Sequence, residues 1–248
     1  MIDIDLLRRL LAEFVGTALL VTVVVGSGIA AAQLSPGDVG LQLLENSTAT
    51  AFGLAVLILM FGPVSGAHFN PVVTAADWLL GRRKGTGISG RDATAYATAQ
   101  TVGAVMGAWL ANVMFDRHVF ELSSKGRFST GHLIGEIVAT CGLIALIFAL
   151  ARTGRAAMSA AAVGAYIGAA YWFTSSTSFA NPAVTVGRMF SDTFAGIDPA
   201  SVPGFVAAQV IGALVGLALV CALYPEVAAT ADDVVVPHPH RPGHRSSS

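Results

Sequence analysis

The chain has 248 residues, of which 54% are hydrophobic and only 12% charged, and its formal net charge is -1. Soluble domains carry about a quarter charged residues, so the composition excludes an ordinary soluble domain. The near-neutral balance gives no electrostatic footing for a nucleic-acid partner. Abundant glycine, 27 residues in all, suits helices that pack closely in lipid, and an integral membrane protein is the class that remains.

Six apolar segments approach the roughly 20 residues needed to cross hydrocarbon, near 10–32, 45–62, 93–114, 131–151, 157–174 and 203–224. The first is too long for a cleavable signal peptide and carries Glu13. Shorter apolar runs at 70–80 and 181–190 fall between the second and third spans and between the fifth and sixth. Each opens with Asn-Pro: Asn70-Pro71-Val72 and Asn181-Pro182-Ala183. Asn is a strong helix N-cap, and Pro at the next position is preset for the first turn. Both runs therefore read as half-helices, too short to span. Cys141 and Cys221 lie inside apolar runs and read as small filler, with no disulfide, metal or cofactor expected.

The chain repeats itself. Glu13 in the first span matches Glu136 in the fourth, Asn70-Pro71 matches Asn181-Pro182, and Gln100, Gly103 and Gly107 match Gln209, Gly212 and Gly216. Three spans per repeat, an odd number, require the copies to insert in opposite directions. An inverted repeat places its site at the midplane, where interrupted helices meet. The expected architecture is all-α, with six transmembrane helices and two re-entrant half-helices. The single channel domain covers 1–225, with repeats at about 8–115 and 130–224. Residues 226–248 are expected to form a solvated, disordered cytoplasmic tail, despite His238, His240 and His244. With both termini inside, ten of the 14 Lys and Arg residues fall on the cytoplasmic side, including Arg82, Arg83 and Lys84. Only Arg117, Lys125, Arg127 and Arg188 fall outside. That asymmetry obeys the positive-inside rule.

Two N-termini meeting at the midplane create an electropositive centre that repels cations and admits neutral solutes. The Asn70 and Asn181 side chains can cap with their oxygens and keep their N–H groups for a passing oxygen. A carboxyl inside a membrane is a functional candidate by default. Glu13 and Glu136 fit a loop brace better than a proton relay, because no Lys or Arg within the spans is positioned to partner them. The glycine faces from Gln100 and Gln209 onward read as helix packing alone.

These motifs, with Ser65-Gly66-Ala67-His68-Phe69, make residues 8–224 resemble the aquaporin (major intrinsic protein) family. The resemblance implies a homotetramer in the cell membrane, one pore per subunit, and passive conduction of water or small neutral solutes without enzymatic activity. It also implies support roles for Glu13, Glu136 and His68. The sequence departs from the family pattern twice. Val72 replaces the usual Ala of the first motif, and Val184 stands where most members place the filter Arg after the second. Arg188, one turn further along the same helical face, either supplies a displaced charge or packs toward the outer surface. Ser178 transfers cleanly to the filter. The second-span position is Thr50 or Phe52, and the fifth-span position Ala169 or Tyr171, depending on loop length. No His lies near either. A filter without Arg and His resembles that of bacterial aquaglyceroporin-like channels, and suits glycerol, water and undissociated metalloid hydroxides such as arsenite. The alternatives are a water-selective pore or, from another class, an ion-coupled transporter working through Glu13 and Glu136.

Overall fold

The computed structural model describes residues 4–82 and 85–224; the tail expected over 226–248 lies outside the described residues. The helices are α1 (Ile4–Leu34), α2 (Val39–Ser65), α3 (Pro71–Gly81), α4 (Gly90–Met114), α5 (Thr130–Arg152), α6 (Ser159–Phe173), α7 (Pro182–Arg188) and α8 (Val202–Leu223). No strand occurs among the described residues. Short 3-10 turns, Ala156–Met158 and Pro199–Ser201, lead into α6 and α8.

Each expected span has its helix. Five of the long helices, counting the lead-in turns of α6 and α8, are apolar enough to cross a membrane by length and hydropathy. The exception is α4, whose 25 residues give about 37 Å at 1.5 Å per residue, ample for the crossing. Its lower hydropathy comes from Thr94, Thr98, Gln100 and Thr101. Most of these hydroxyls return to the helix's own carbonyls, as Thr98 Oγ1 does to Thr94 O at 3.0 Å and Thr101 Oγ1 to Ala97 O at 2.7 Å.

The two repeats build the same frame. In the first, α1 packs on α4; in the second, α5 packs on α8. The glycines explain how closely these pairs approach. A methyl group at Gly103 or Gly107 would run into the backbone carbonyl of Phe14 or Ala18, and one at Gly212 or Gly216 into that of Ile137 or Cys141. The packing expected of these faces is present, but the glutamines at their heads do more than pack, as described below. α2 and α6 join the repeats across the middle. α7 also packs against α4 of the other repeat, and α3 against α8, so each half-helix is held partly by the opposite half of the chain.

Candidate functional site

The half-helices start as their residues dictate. The Asn70 carbonyl Oδ1 accepts from Val72 N at 3.1 Å, and Asn181 Oδ1 accepts from Ala183 N at 3.0 Å and Val184 N at 3.2 Å. Pro71 and Pro182 occupy the first helical position, where no N–H is required. Before each Asn the backbone is irregular at matched positions. Ala67 and Phe69 have φ of 48°, and Ser178 and Ala180 have φ of 47° and 48°. A left-handed conformation in a residue with a Cβ costs roughly 1 kcal/mol or more, so something must impose it.

The two buried carboxylates impose it. Glu13 accepts from Ser65 Oγ at 2.6 Å, His68 N at 3.0 Å and Phe69 N at 2.7 Å. Glu136 accepts from Phe179 N and Ala180 N, both at 2.8 Å. Both glutamates are 0% exposed. Each carboxyl accepts hydrogen bonds from the backbone of the adjacent irregular loop. Reading Gln100 and Gln209 as packing residues requires correction. Gln100 Nε2 donates to Glu13 at 2.7 Å and to Thr74 Oγ1 at 3.0 Å. Gln209 Nε2 donates to Glu136 at 2.6 Å and to Thr185 Oγ1 at 2.8 Å. Thr74 and Thr185 pass the chain on to the carbonyls of Asn70 and Asn181. Carboxylate, amide, hydroxyl and cap are thus one connected network in each repeat.

The caps also differ from expectation in one respect. Asn70 Nδ2 donates to Ala180 O at 2.8 Å, and Asn181 Nδ2 donates to Phe69 O at 2.7 Å. One N–H of each amide ties the two loops together reciprocally. Since each amide carries two N–H groups, one per Asn is left to face a solute.

Around this junction lies a narrow cavity of about 60 Å³, enough for a short file of water molecules. One wall is apolar, with Leu20, Val24, Leu54, Ile58, Leu143, Ile147, Val163 and Ile167. The other is the irregular backbone, with Ala67, His68, Phe69 and Asn70 from one loop and Ser178, Phe179, Ala180 and Asn181 from the other. His68 sits in the first loop, its Nδ1 3.1 Å from Thr74 Oγ1 and its ring edge-on to Tyr96.

Beyond Asn181 the cavity is lined by Thr50, Tyr171, Ser178, Val184 and Arg188. The Thr50 and Tyr171 hydroxyls meet at 3.3 Å, and both residues are buried. Phe52 is corrected: it is 70% exposed on the outer surface of α2, because two residues along a helix turn the side chain through about 200°. Ala169 is likewise exposed, whereas Tyr171 lines the cavity from α6. Val72 does not line the cavity; it is buried in the core while its neighbour Val73 faces the cavity.

Arg188 points inward. It is 1% exposed, its Nε donates to Ala195 O at 2.5 Å, and its guanidinium carbon lies 3.5 Å from the centre of the Phe179 ring. Arg127, which the sequence marked only as one of the outer basic residues, is also buried and stands 5.1 Å from the same ring centre. Neither forms a salt bridge with a described carboxylate. Among the described residues no group of three or more His, Cys, Asp or Glu is placed to hold a metal ion.

The family model for the major intrinsic protein matches residues 1–179. An aquaglyceroporin, AqpS, of Rhizobium meliloti is 48% identical over 217 residues, covering 88% of this chain and 90% of that protein. A glycerol uptake facilitator protein of Pseudomonas aeruginosa is 35% identical over 127 residues, 51% of this chain and 43% of its own. The X-ray structure of the aquaglyceroporin from Plasmodium falciparum superposes with a TM-score of 0.62 at 18% identity, over 90% of this chain and 99% of that one, a likeness of fold. With the paired capped half-helices and their carboxylate braces in place, the chain belongs to the major intrinsic protein family.

Proposed function

We propose that this protein is a passive channel for small neutral solutes with a wide, aquaglyceroporin-like constriction that passes glycerol and water. The observation that supports the reading is Val184 in the cavity wall, where most family members place Arg. A short apolar side chain stands in the cavity wall beside the hydroxyls of Thr50, Tyr171 and Ser178. A polyol needs both surfaces at once: an apolar wall for its carbon backbone and a few fixed donors and acceptors for its hydroxyls. Undissociated arsenite, neutral and carrying three hydroxyls, presents a similar surface and belongs to the same solute class.

The filter in this reading comprises Thr50, Tyr171, Ser178, Val184 and Arg188, with Asn70 and Asn181 as the central donors. The half-helix N-termini supply the positive potential that excludes cations. The channel sits in the cell membrane with both termini cytoplasmic, so that the Val184 end faces outward, and it assembles as a homotetramer.

Stopped-flow measurement on proteoliposomes tests the reading, with water, glycerol and arsenite as separate solutes. Glycerol permeability well above that of empty vesicles is the expected result. Conduction of water alone would overturn the wide constriction, and flux that follows an imposed proton gradient would overturn passive conduction.

A further inference from the structure

We infer that Arg127, in the loop between the two repeats, is a positioning residue for selectivity: it holds the Arg188 guanidinium in place by pinning two of the three surfaces against which Arg188 rests. The inference rests on the reading of Arg188 as part of the constriction.

Three neighbours fix the direction of Arg188: the Ala195 carbonyl, the face of Phe179 and the Tyr171 side chain, to which it is hydrogen-bonded. Arg127 grips the residues on either side of that carbonyl. Its Nε donates to Gly196 O at 2.8 Å and its Nη2 to Phe194 O at 3.2 Å. Its guanidinium also lies against Phe179, and its Nη1 reaches Ser176 O at 3.4 Å, in the loop that carries Ser178 toward Asn181. Three successive carbonyls, 194, 195 and 196, are thus shared between two guanidinium groups, and Lys125 Nζ adds a further donor to Phe194 O at 2.7 Å.

A planar fork with five fixed donors suits this task, and an ammonium cannot span two carbonyls in the same way. Arg127 itself is anchored, its backbone N–H donating to Ser201 Oγ at 3.0 Å, and it does not line the cavity. It acts through Arg188. The arrangement accounts for how a filter without Arg at position 184 keeps a fixed cation: the charge comes from one turn along α7, on a long side chain that needs outside support to stay in one orientation.

A double-mutant cycle in proteoliposomes tests this, comparing Arg127→Met, Arg188→Met and the double variant, with water and glycerol permeabilities read separately. Arg188→Met should raise glycerol relative to water, and Arg127→Met should shift the ratio the same way by at least about threefold. The double variant should match Arg188→Met alone, since contacting residues that act through one another are non-additive. Effects that multiply, or an unchanged ratio in folded Arg127→Met protein, would overturn the inference. Should Arg127→Met not fold, the cycle is run with Arg127→Lys, which keeps the charge and loses the fork; the expected shift is smaller and still vanishes in the Arg188→Met background. A wild-type protein passing only water would sink the wide-constriction reading, while the coupling would still be read in water permeability.

Discussion

The loop entering Asn70 and the loop entering Asn181 share a scaffold and differ in everything placed upon it. Both have an Asn cap, Pro at the first helical position, three left-handed residues, a buried Glu, a Gln and a Thr, joined in the same order. The first loop adds ring groups, with His68 against Tyr96 and the Tyr96 hydroxyl on Ser65 O at 3.0 Å. The second adds two buried guanidinium groups around Phe179. Symmetry therefore serves the support of the backbone, which each half needs equally. Asymmetry, on the proposed reading, serves discrimination.

Removing the braces gives the largest expected effect. Glu13→Ala orphans four donors, namely Ser65 Oγ, His68 N, Phe69 N and Gln100 Nε2. Glu136→Ala orphans three, Phe179 N, Ala180 N and Gln209 Nε2. At roughly 1–3 kcal/mol for each buried donor left unpaired, both variants should lose several kcal/mol, Glu13→Ala the more. Melting in detergent reads this, and a Glu13→Ala protein more stable than Glu136→Ala would break the ranking by donor count.

Val184→Arg sharpens the functional side of the comparison. A second guanidinium in the outer constriction should cut glycerol flux about tenfold, equivalent to ~1.4 kcal/mol in the barrier, and water flux far less. Equal loss of both in folded protein would mean that Val184 does not set the constriction.

Lys125 predicts a pH effect where the linker between the repeats meets the segment after α7. Burial, with Arg127 and Arg188 nearby, pushes the Lys125 ammonium down to about 8 from 10.5. Between these values the unfolded chain holds a proton that the folded chain has released, so stability should rise as pH climbs from about 8 toward 10.5. Melting between pH 7 and 10 should show a modest gain that Lys125→Met removes.

Val72→Ala is the mildest test. Restoring Ala to the first motif deletes two buried carbons, at about 0.8 kcal/mol each, without touching the cavity. A small drop in melting temperature with unchanged solute selectivity is expected; altered selectivity would place Val72 at the pore after all.

The shared scaffold was legible from residue pattern because its parts recur: two Asn-Pro pairs, two glutamates and two Gln-Gly-Gly rows identify one another. Even so, Gln100 and Gln209 read as packing residues until their amides were seen on the carboxylates, since spacing along a helix does not reveal which neighbour a side chain meets. The unshared parts were harder. Thr50 and Phe52 differ by two positions, and only the rotation of α2 decides which enters the cavity. Arg127 had no signal: it lies in the linker between repeats, has no counterpart in the other half, and is buried only because a distant segment, 194–196, folds around it.

The reciprocal bonds between the two Asn amides and the carbonyls of Phe69 and Ala180 bear on how the molecule is made. Phe69 O waits for a donor that lies 112 residues further along the chain. As the polypeptide enters the bilayer from its N-terminus, the first re-entrant loop can be braced by Glu13, but its junction cannot close until Asn181 arrives. The middle of the channel is thus closed only once the second repeat has supplied its own half-helix. A chain truncated before residue 181 would carry an unfinished pore, however well its first three spans were inserted.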